Sequence, residues 1–234
     1  MTPRSKRSPS KRRPQPRRTS TRRSPGRRPA RKVFLAVAGN IGAGKSSLTR
    51  LLSDRTGWKA FFESVEDNPY LGDFYADMKR WSFNLQVYFL SNRFRSHKAI
   101  AEGPDSVILD RVIYEDAEIF ARNLHEIGRM DDRDYENYVA LYGVMTEFLR
   151  PPDLLIYLRA NVDTLLKQIA LRGRDFERSI SREYLEQLNG HYESWISRYT
   201  RGKLLIIESD GIDFVNRKQD LDEVVRRIHK TLGR

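Results

Sequence analysis

The chain has no cysteine, which excludes disulfides, thiolate metal sites and cysteine nucleophiles. Its four histidines, His97, His125, His191 and His229, fall without the spacing that metal ligation needs, so no structural metal is expected. No run of about 18 apolar residues occurs, and the N-terminus has no apolar stretch to act as a secretory signal. Neither membrane insertion nor export is indicated, and a soluble, cytoplasmic protein is expected. Two further absences coincide at the N-terminus: Leu, Ile, Val and Phe do not occur before residue 33, and Asp and Glu do not occur in residues 1–32.

The second of these absences explains the net charge of +12. Of the 43 Lys and Arg residues, 14 lie in residues 1–32, and the 29 beyond face all 31 acidic residues. The excess positive charge therefore belongs to a tail, and the remainder is close to neutral. The tail is Arg, Pro and Ser with little apolar surface to offset the entropy of ordering, so it is expected to be disordered. Such a composition suits contact with nucleic acid or an acidic surface, a targeting presequence, or solubility alone; a presequence also needs an apolar helix face, which is missing here. The rest of the 234 residues, in a chain that is 39% hydrophobic, is enough for one domain with one core.

From residue 33 onward, short apolar runs at 33–38, 59–62, 107–109, 154–158 and 204–207 alternate with amphipathic stretches. The runs have the length and continuity of strands buried on both faces. Helices are expected over 45–55, 75–102, 115–127, 132–149, 162–171, 182–199 and 221–232. Strand and helix in alternation imply a three-layer α/β domain, a five-stranded parallel sheet flanked by helices.

Directly after the first run comes Gly39-Asn40-Ile41-Gly42-Ala43-Gly44-Lys45-Ser46, followed by Ser47. This is a complete phosphate-binding loop between a strand and a helix. Glycines let backbone N–H groups wrap phosphates, the lysine reaches the β- and γ-oxygens, and the hydroxyl serves Mg²⁺. No Asn/Thr-Lys-x-Asp element for guanine appears, and the domain is short for a mechanochemical ATPase, so a small-molecule kinase is favoured. Ligands of such sheets bind beyond the carboxyl ends of the strands, where Glu63 follows the second run and Asp110-Arg111 the third. Phosphorylating a hydroxyl requires a carboxylate to take the proton and another acidic group near the metal. Arg172-Gly173-Arg174 ends a later helix and has the composition of a lid that neutralises charge on a transferred phosphoryl group.

Several ordered motifs then agree. GNIGAGKSS at 39–47, ESVEDNPYL at 63–71, WSFNLQVYFLSNR at 81–93, DRVIYEDAEIF at 110–120 and LRGRDFE at 171–177 together resemble the deoxynucleoside kinase family, from residue 33 to the C-terminus. The resemblance implies a P-loop kinase fold, ATP as phosphate donor, Mg²⁺, and a deoxynucleoside acceptor, purines favoured and deoxycytidine compatible. It implies that Glu63 is the general base for the 5′-hydroxyl, and that Asp110 and Arg111 organise Mg²⁺ and the reacting groups, with Ser46 as a metal ligand. Tyr75 and Glu177 would hold the sugar 3′-hydroxyl, Gln86 the base edge, Arg93 and Asp116 its remaining polar atoms, and Phe120 would stack on the base. Gln86 and Arg93 are two helical turns apart and share a face. A homodimer through the long helices is also implied. Three positions depart from the family pattern: many relatives have Pro for Ser64, Ser for Val112, and Arg for Gln168. Competing readings are a nucleoside monophosphate kinase, a silent family member that keeps only the fold, and a nucleic-acid-binding protein acting through its tail.

Overall fold

The computed structural model describes residues 32–62, 68–174, 177 and 179–233. Among them are five strands: β1 (Phe34–Gly39), β2 (Lys59–Phe61), β3 (Val107–Asp110), β4 (Leu154–Arg159) and β5 (Lys203–Glu208). They form one sheet in the order β2-β3-β1-β4-β5, parallel throughout. The expected five-stranded parallel sheet is thus what the chain forms. Strand β1 is central, and its residues are buried on both faces. Phe34, Ala36 and Ala38 point into one apolar cluster, while Leu35 and Val37 point into another. The period-2 alternation of a strand puts neighbours on opposite faces, so a run covered on both sides must be apolar throughout.

The helices supply the two covers. Leu48 and Leu52 of α1 (Lys45–Thr56), Leu165 and Ile169 of α7 (Val162–Arg172), and Val224 and Ile228 of α9 (Lys218–Leu232) fill one cluster. Leu85, Leu90 and Ile100 of α3 (Met78–Glu102), Tyr138 of α6 (Asp132–Glu147), and Leu188, Tyr192, Trp195 and Ile196 of α8 (Arg182–Ser197) fill the other. Side-chain caps set several helix starts: Asp77 accepts from the Arg80 N–H, Asp131 from Asp134, Asn161 from Thr164 and Ser181 from Tyr184, each satisfying a donor that the first turn leaves open.

Two helices differ from expectation. The single helix expected over 75–102 is two, because Asp77 leaves helical geometry at φ −144° and ψ 86° and caps the second. Tyr75 therefore belongs to the short α2 (Leu71–Ala76). The helix expected over 115–127 begins as α4 (Ile113–Glu115), continues as a π-helical segment (Asp116–Ala121) and ends as α5 (Arg122–Glu126). Among the described residues no helix is long and apolar enough to cross a membrane. Lys32, assigned to the tail by composition, is tied to the domain: its Nζ donates to the carbonyl oxygens of Ala101 and Gly103, 2.9 Å to each. The stretch expected to be disordered lies, up to residue 31, outside the described residues, as do Glu63, Ser64, Asp175, Phe176 and Arg178.

Candidate active site

The phosphate loop leaves the end of β1 at the carboxyl edge of the sheet. Its shape needs glycine at two positions in particular. Gly42 and Gly44 have φ of 85° and 88°, in the left-handed region that a Cβ disfavours, and a Cβ on Gly42 would meet the Leu165 carbonyl oxygen at 2.8 Å. Gly44 caps α1, so the N-terminus of that helix and its positive dipole end face the loop. Lys45 is buried and its Nζ donates to the Asn40 carbonyl oxygen at 2.9 Å. The Asn40 side chain is turned away toward α8, where its Nδ2 donates to the Leu185 carbonyl and to Asn189 Oδ1. Ser46 Oγ donates to Asp110 Oδ2, joining the loop to the end of β3 across the register that sets Val37 beside Asp110.

A pocket of about 910 Å³, counting its open mouth, lies over this edge. It brings together Ile41, Lys45, Ser46, Tyr75, Gln86, Arg93, Asp110, Arg111, Asp116, Phe120, Arg172, Arg174 and Glu177, residues named from sequence and scattered over six separate segments. On one wall Arg93 Nε and Asp116 Oδ2 form a buried ion pair. Gln86, one face along α3, is 4% exposed, and its Oε1 has no hydrogen-bond partner among the described residues. At the other end Glu177 is bracketed by Arg172 Nη2 at 2.5 Å and Arg174 Nη1 at 3.6 Å. The Tyr75 hydroxyl is pushed above the ordinary phenol range, first by burial and then by Tyr184 and Glu177, with Arg172 and Arg111 pulling the other way. It is a neutral hydroxyl donor at physiological pH.

The π-helical segment shapes the middle of the pocket. With i→i+5 bonding a turn holds more residues than in an α-helix, which brings Asp116 and Phe120, four apart in sequence, closer to one line. Arg111 lies on the Phe120 ring, its Cζ 4.4 Å from the centroid. Arg111 has a positive φ of 72°, a conformation rare for residues with a Cβ and concentrated at functional sites. Val112 has no hydroxyl to cap the helix that follows; Glu115 still accepts from the Val112 N–H at 2.8 Å, half of a capping box. Gln168 sits exposed on α7 and does not line the pocket.

Several pocket residues were not anticipated: Leu71, Phe74, Leu85, Phe89 and Tyr184. Phe89 could have been found, since it lies one turn from both Gln86 and Arg93 on the same helical face. Tyr184 could not, because its approach to Arg111 depends on how α8 packs. Burial pushes the Tyr184 hydroxyl up to about 12, with Arg111 and a hydrogen bond to Asn123 opposing. Among the described residues no group of three or more His, Cys, Asp or Glu could hold a metal. What exists is one carboxylate beside one hydroxyl at the phosphate loop, an oxygen-only set that fits Mg²⁺, which is bound through few protein ligands, waters and substrate phosphates.

A parallel sheet, a phosphate loop and a carboxylate, arginines and an enclosed polar pocket at the same edge define a P-loop phosphotransferase for a small acceptor. A deoxynucleoside kinase family profile matches residues 35–233. The chain is 41% identical over 196 residues to the deoxyadenosine/deoxycytidine kinase of Bacillus subtilis, covering 83% of this chain and 90% of that one. It is 40% identical over 213 residues to the deoxyguanosine kinase of Lactobacillus acidophilus, covering 86% and 92%. A solved deoxyadenosine kinase of M. mycoides, with dCMP and a flexible dCDP bound, matches with a TM-score of 0.75 at 29% identity over 84% of this chain and 98% of that one. The chain belongs to the deoxynucleoside kinase family. It is an ATP-dependent phosphotransferase acting on deoxynucleosides, which separates it from nucleoside monophosphate kinases.

Proposed function

We propose that the protein transfers the ATP γ-phosphate to the 5′-hydroxyl of purine deoxynucleosides, with deoxycytidine a weaker acceptor. The observation that carries this reading is the base wall. A buried Arg93–Asp116 pair stands beside a buried Gln86 whose carbonyl oxygen lacks a partner among the described residues. A polar wall built to hydrogen-bond a base edge discriminates strongly, because a base that cannot pair leaves these groups desolvated. The names of the relatives, kinases of deoxyadenosine, deoxycytidine and deoxyguanosine, support the same choice. Thymine presents a carbonyl where adenine and cytosine present an amino group, and the Asp116 carboxylate suits a donor, so the wall disfavours thymine; the ranking of the purines above deoxycytidine rests on the relatives' names.

In this reading Tyr75 and Glu177 hold the 3′-hydroxyl and Phe120 stacks on the base. Glu63 removes the 5′-hydroxyl proton. Lys45, Arg172 and Arg174 balance charge on the transferred group, and Mg²⁺, when bound, neutralises the phosphate oxygens at Ser46 and Asp110. The oxygens of Ser46 and Asp110, already hydrogen-bonded to each other, support that assignment. We also assign residues 1–31 as a tether for anionic partners, on the strength of 13 basic and no acidic residues there.

The test is phosphate transfer from ATP with Mg²⁺ to deoxyadenosine, deoxyguanosine, deoxycytidine and thymidine, using the full-length protein. Turnover should be fastest with the two purines, lower with deoxycytidine and least with thymidine. Efficient thymidine phosphorylation without turnover of the other three would overturn the reading of the base wall.

A further inference from the structure

The arginine that follows Asp110 is held in an unfavourable backbone conformation by groups to which the motifs assign no role. Arg111, at φ 72°, donates its N–H to the Val37 carbonyl oxygen at 2.9 Å, and the next N–H, of Val112, goes to Glu115 Oε2 at 2.8 Å. The Arg111 guanidinium reaches Tyr192 and Glu115: Nη1 is 3.4 Å from the Tyr192 hydroxyl and 3.7 Å from Glu115 Oε1. The same two groups also contact the phosphate loop. Glu115 Oε1 accepts from the Gly39 N–H at 3.3 Å. The Tyr192 hydroxyl, 2.7 Å from both the Gly39 carbonyl oxygen and Glu115 Oε1, has one proton to share between them.

We infer that Tyr192 and Glu115 are positioning residues for phosphoryl transfer, setting the distance between Arg111 and the first glycine of the phosphate loop. Both side chains are fully buried. A buried carboxylate is costly compared with an apolar residue of similar volume, so packing does not account for Glu115. Its four neighbours, two backbone N–H groups, one hydroxyl and one guanidinium, are what a fixed carboxylate can orient. The Tyr192 ring is separately held, stacked on Tyr157 at 5.6 Å and tilted against Trp195 at 6.3 Å, so the ring packs without help from its hydroxyl. Burial keeps that hydroxyl protonated well above the ordinary phenol range. Tyr192 also lies on α8, the helix that grips Asn40 through Leu185 and Asn189. Donor loop and acceptor-side arginine are therefore referenced to one rigid element, and errors of about 1 Å in such geometry can cost about a hundredfold in rate.

This inference rests on the reading that Arg111 contacts the reacting groups, and the experiment separates the two. Full-length Tyr192→Phe, Glu115→Gln, Arg111→Lys and the double variant Tyr192→Phe/Arg111→Lys are compared by steady-state kinetics and thermal melting. Tyr192→Phe is expected to lower kcat about tenfold, with KM for deoxyadenosine and ATP changed by no more than about twofold. Its melting temperature should fall by only a few degrees, since the ring stays packed while Glu115 and the Gly39 carbonyl lose one shared donor. Glu115→Gln should lose kcat in the same way, and it carries the test if Tyr192→Phe does not fold. The double variant should be no slower than Arg111→Lys alone, because the hydroxyl acts through the guanidinium. Losses that multiply in the double variant, or parental kcat in both Tyr192→Phe and Glu115→Gln, overturn the inference while leaving Arg111's role intact. Parental kcat in Arg111→Lys overturns that role and the inference with it.

Discussion

Arg93 Nε and Asp116 Oδ2 meet at 2.5 Å with side-chain exposures of 6% and 2%, joining the long helix α3 to the π-helical segment. Removing one partner of a buried pair strands the other and costs about 3–5 kcal/mol, whereas replacing both by apolar groups is often near neutral. Asp116→Ala should therefore melt roughly 10 °C below the parent. Arg93→Met/Asp116→Ala should recover most of that loss while still phosphorylating deoxyadenosine poorly relative to thymidine. Thermal melting and substrate competition read the two effects separately; equal melting of single and double variants would contradict the pairing.

Lys45 sits under the loop with its Nζ on the Asn40 carbonyl. Lys45→Ala should reduce kcat/KM for ATP by about 10²–10³ and leave the circular dichroism spectrum unchanged. A variant with parental kinetics would contradict the assignment of the loop to the donor.

A base positioned on the 5′-hydroxyl contributes about 10²–10⁴ in rate. Glu63→Gln should lose turnover on that scale while binding deoxyadenosine with nearly unchanged affinity by titration calorimetry. Equal losses of binding and turnover would assign Glu63 to binding instead.

His97 is 2% exposed, and burial, with Arg93 adding to it, lowers its pKa to about 3. The unfolded chain binds that proton near the ordinary 6.5, so below pH 6.5 the unfolded state holds more protons and stability falls with falling pH. The window runs from about 6.5 down to about 3, with a slope of at most about 1.4 kcal/mol per pH unit from this one group. Urea unfolding at several pH values should show a shallower acid limb for His97→Gln than for the parent.

Helix α6 buries only Tyr138 among its residues, and its outer side exposes Leu141, Val144 and, just past its end, Phe148 at 75%. A second copy of the chain is predicted to cover this apolar stripe, since exposed apolar patches mark interaction sites. By light scattering the parent should have the mass of a dimer and Val144→Glu/Phe148→Glu that of a monomer; a monomeric parent, or a dimeric variant, would contradict the prediction.

Much of the site was legible in sequence because its residues lie at fixed offsets from strand ends. Asp110 follows an apolar run, and the phosphate loop follows another, so parallel topology alone places both at one edge. Gln86 and Arg93 were legible from the resemblance of their motif, with helical periodicity placing both on one face. Tyr75 was placed on the wrong helix because the break at Asp77 comes from a cap, a competition between a side chain and the backbone that apolar periodicity does not register.

By itself the sequence determined the three-layer class, the parallel sense of the strands, the donor loop and the acidic groups at the strand ends through local pattern and chemistry, and most other polar groups of the pocket through the family resemblance of its motifs. Tertiary structure alone decided that Arg111 would take a left-handed conformation, that Asp116 and Phe120 would share a π-helical face, and that Tyr192 and Tyr184 of α8 would reach residues 70 or more positions earlier in the chain. The physical reason is that a buried carboxylate or guanidinium is stable only with its partners in place, and those partners are supplied by packing between elements distant in sequence.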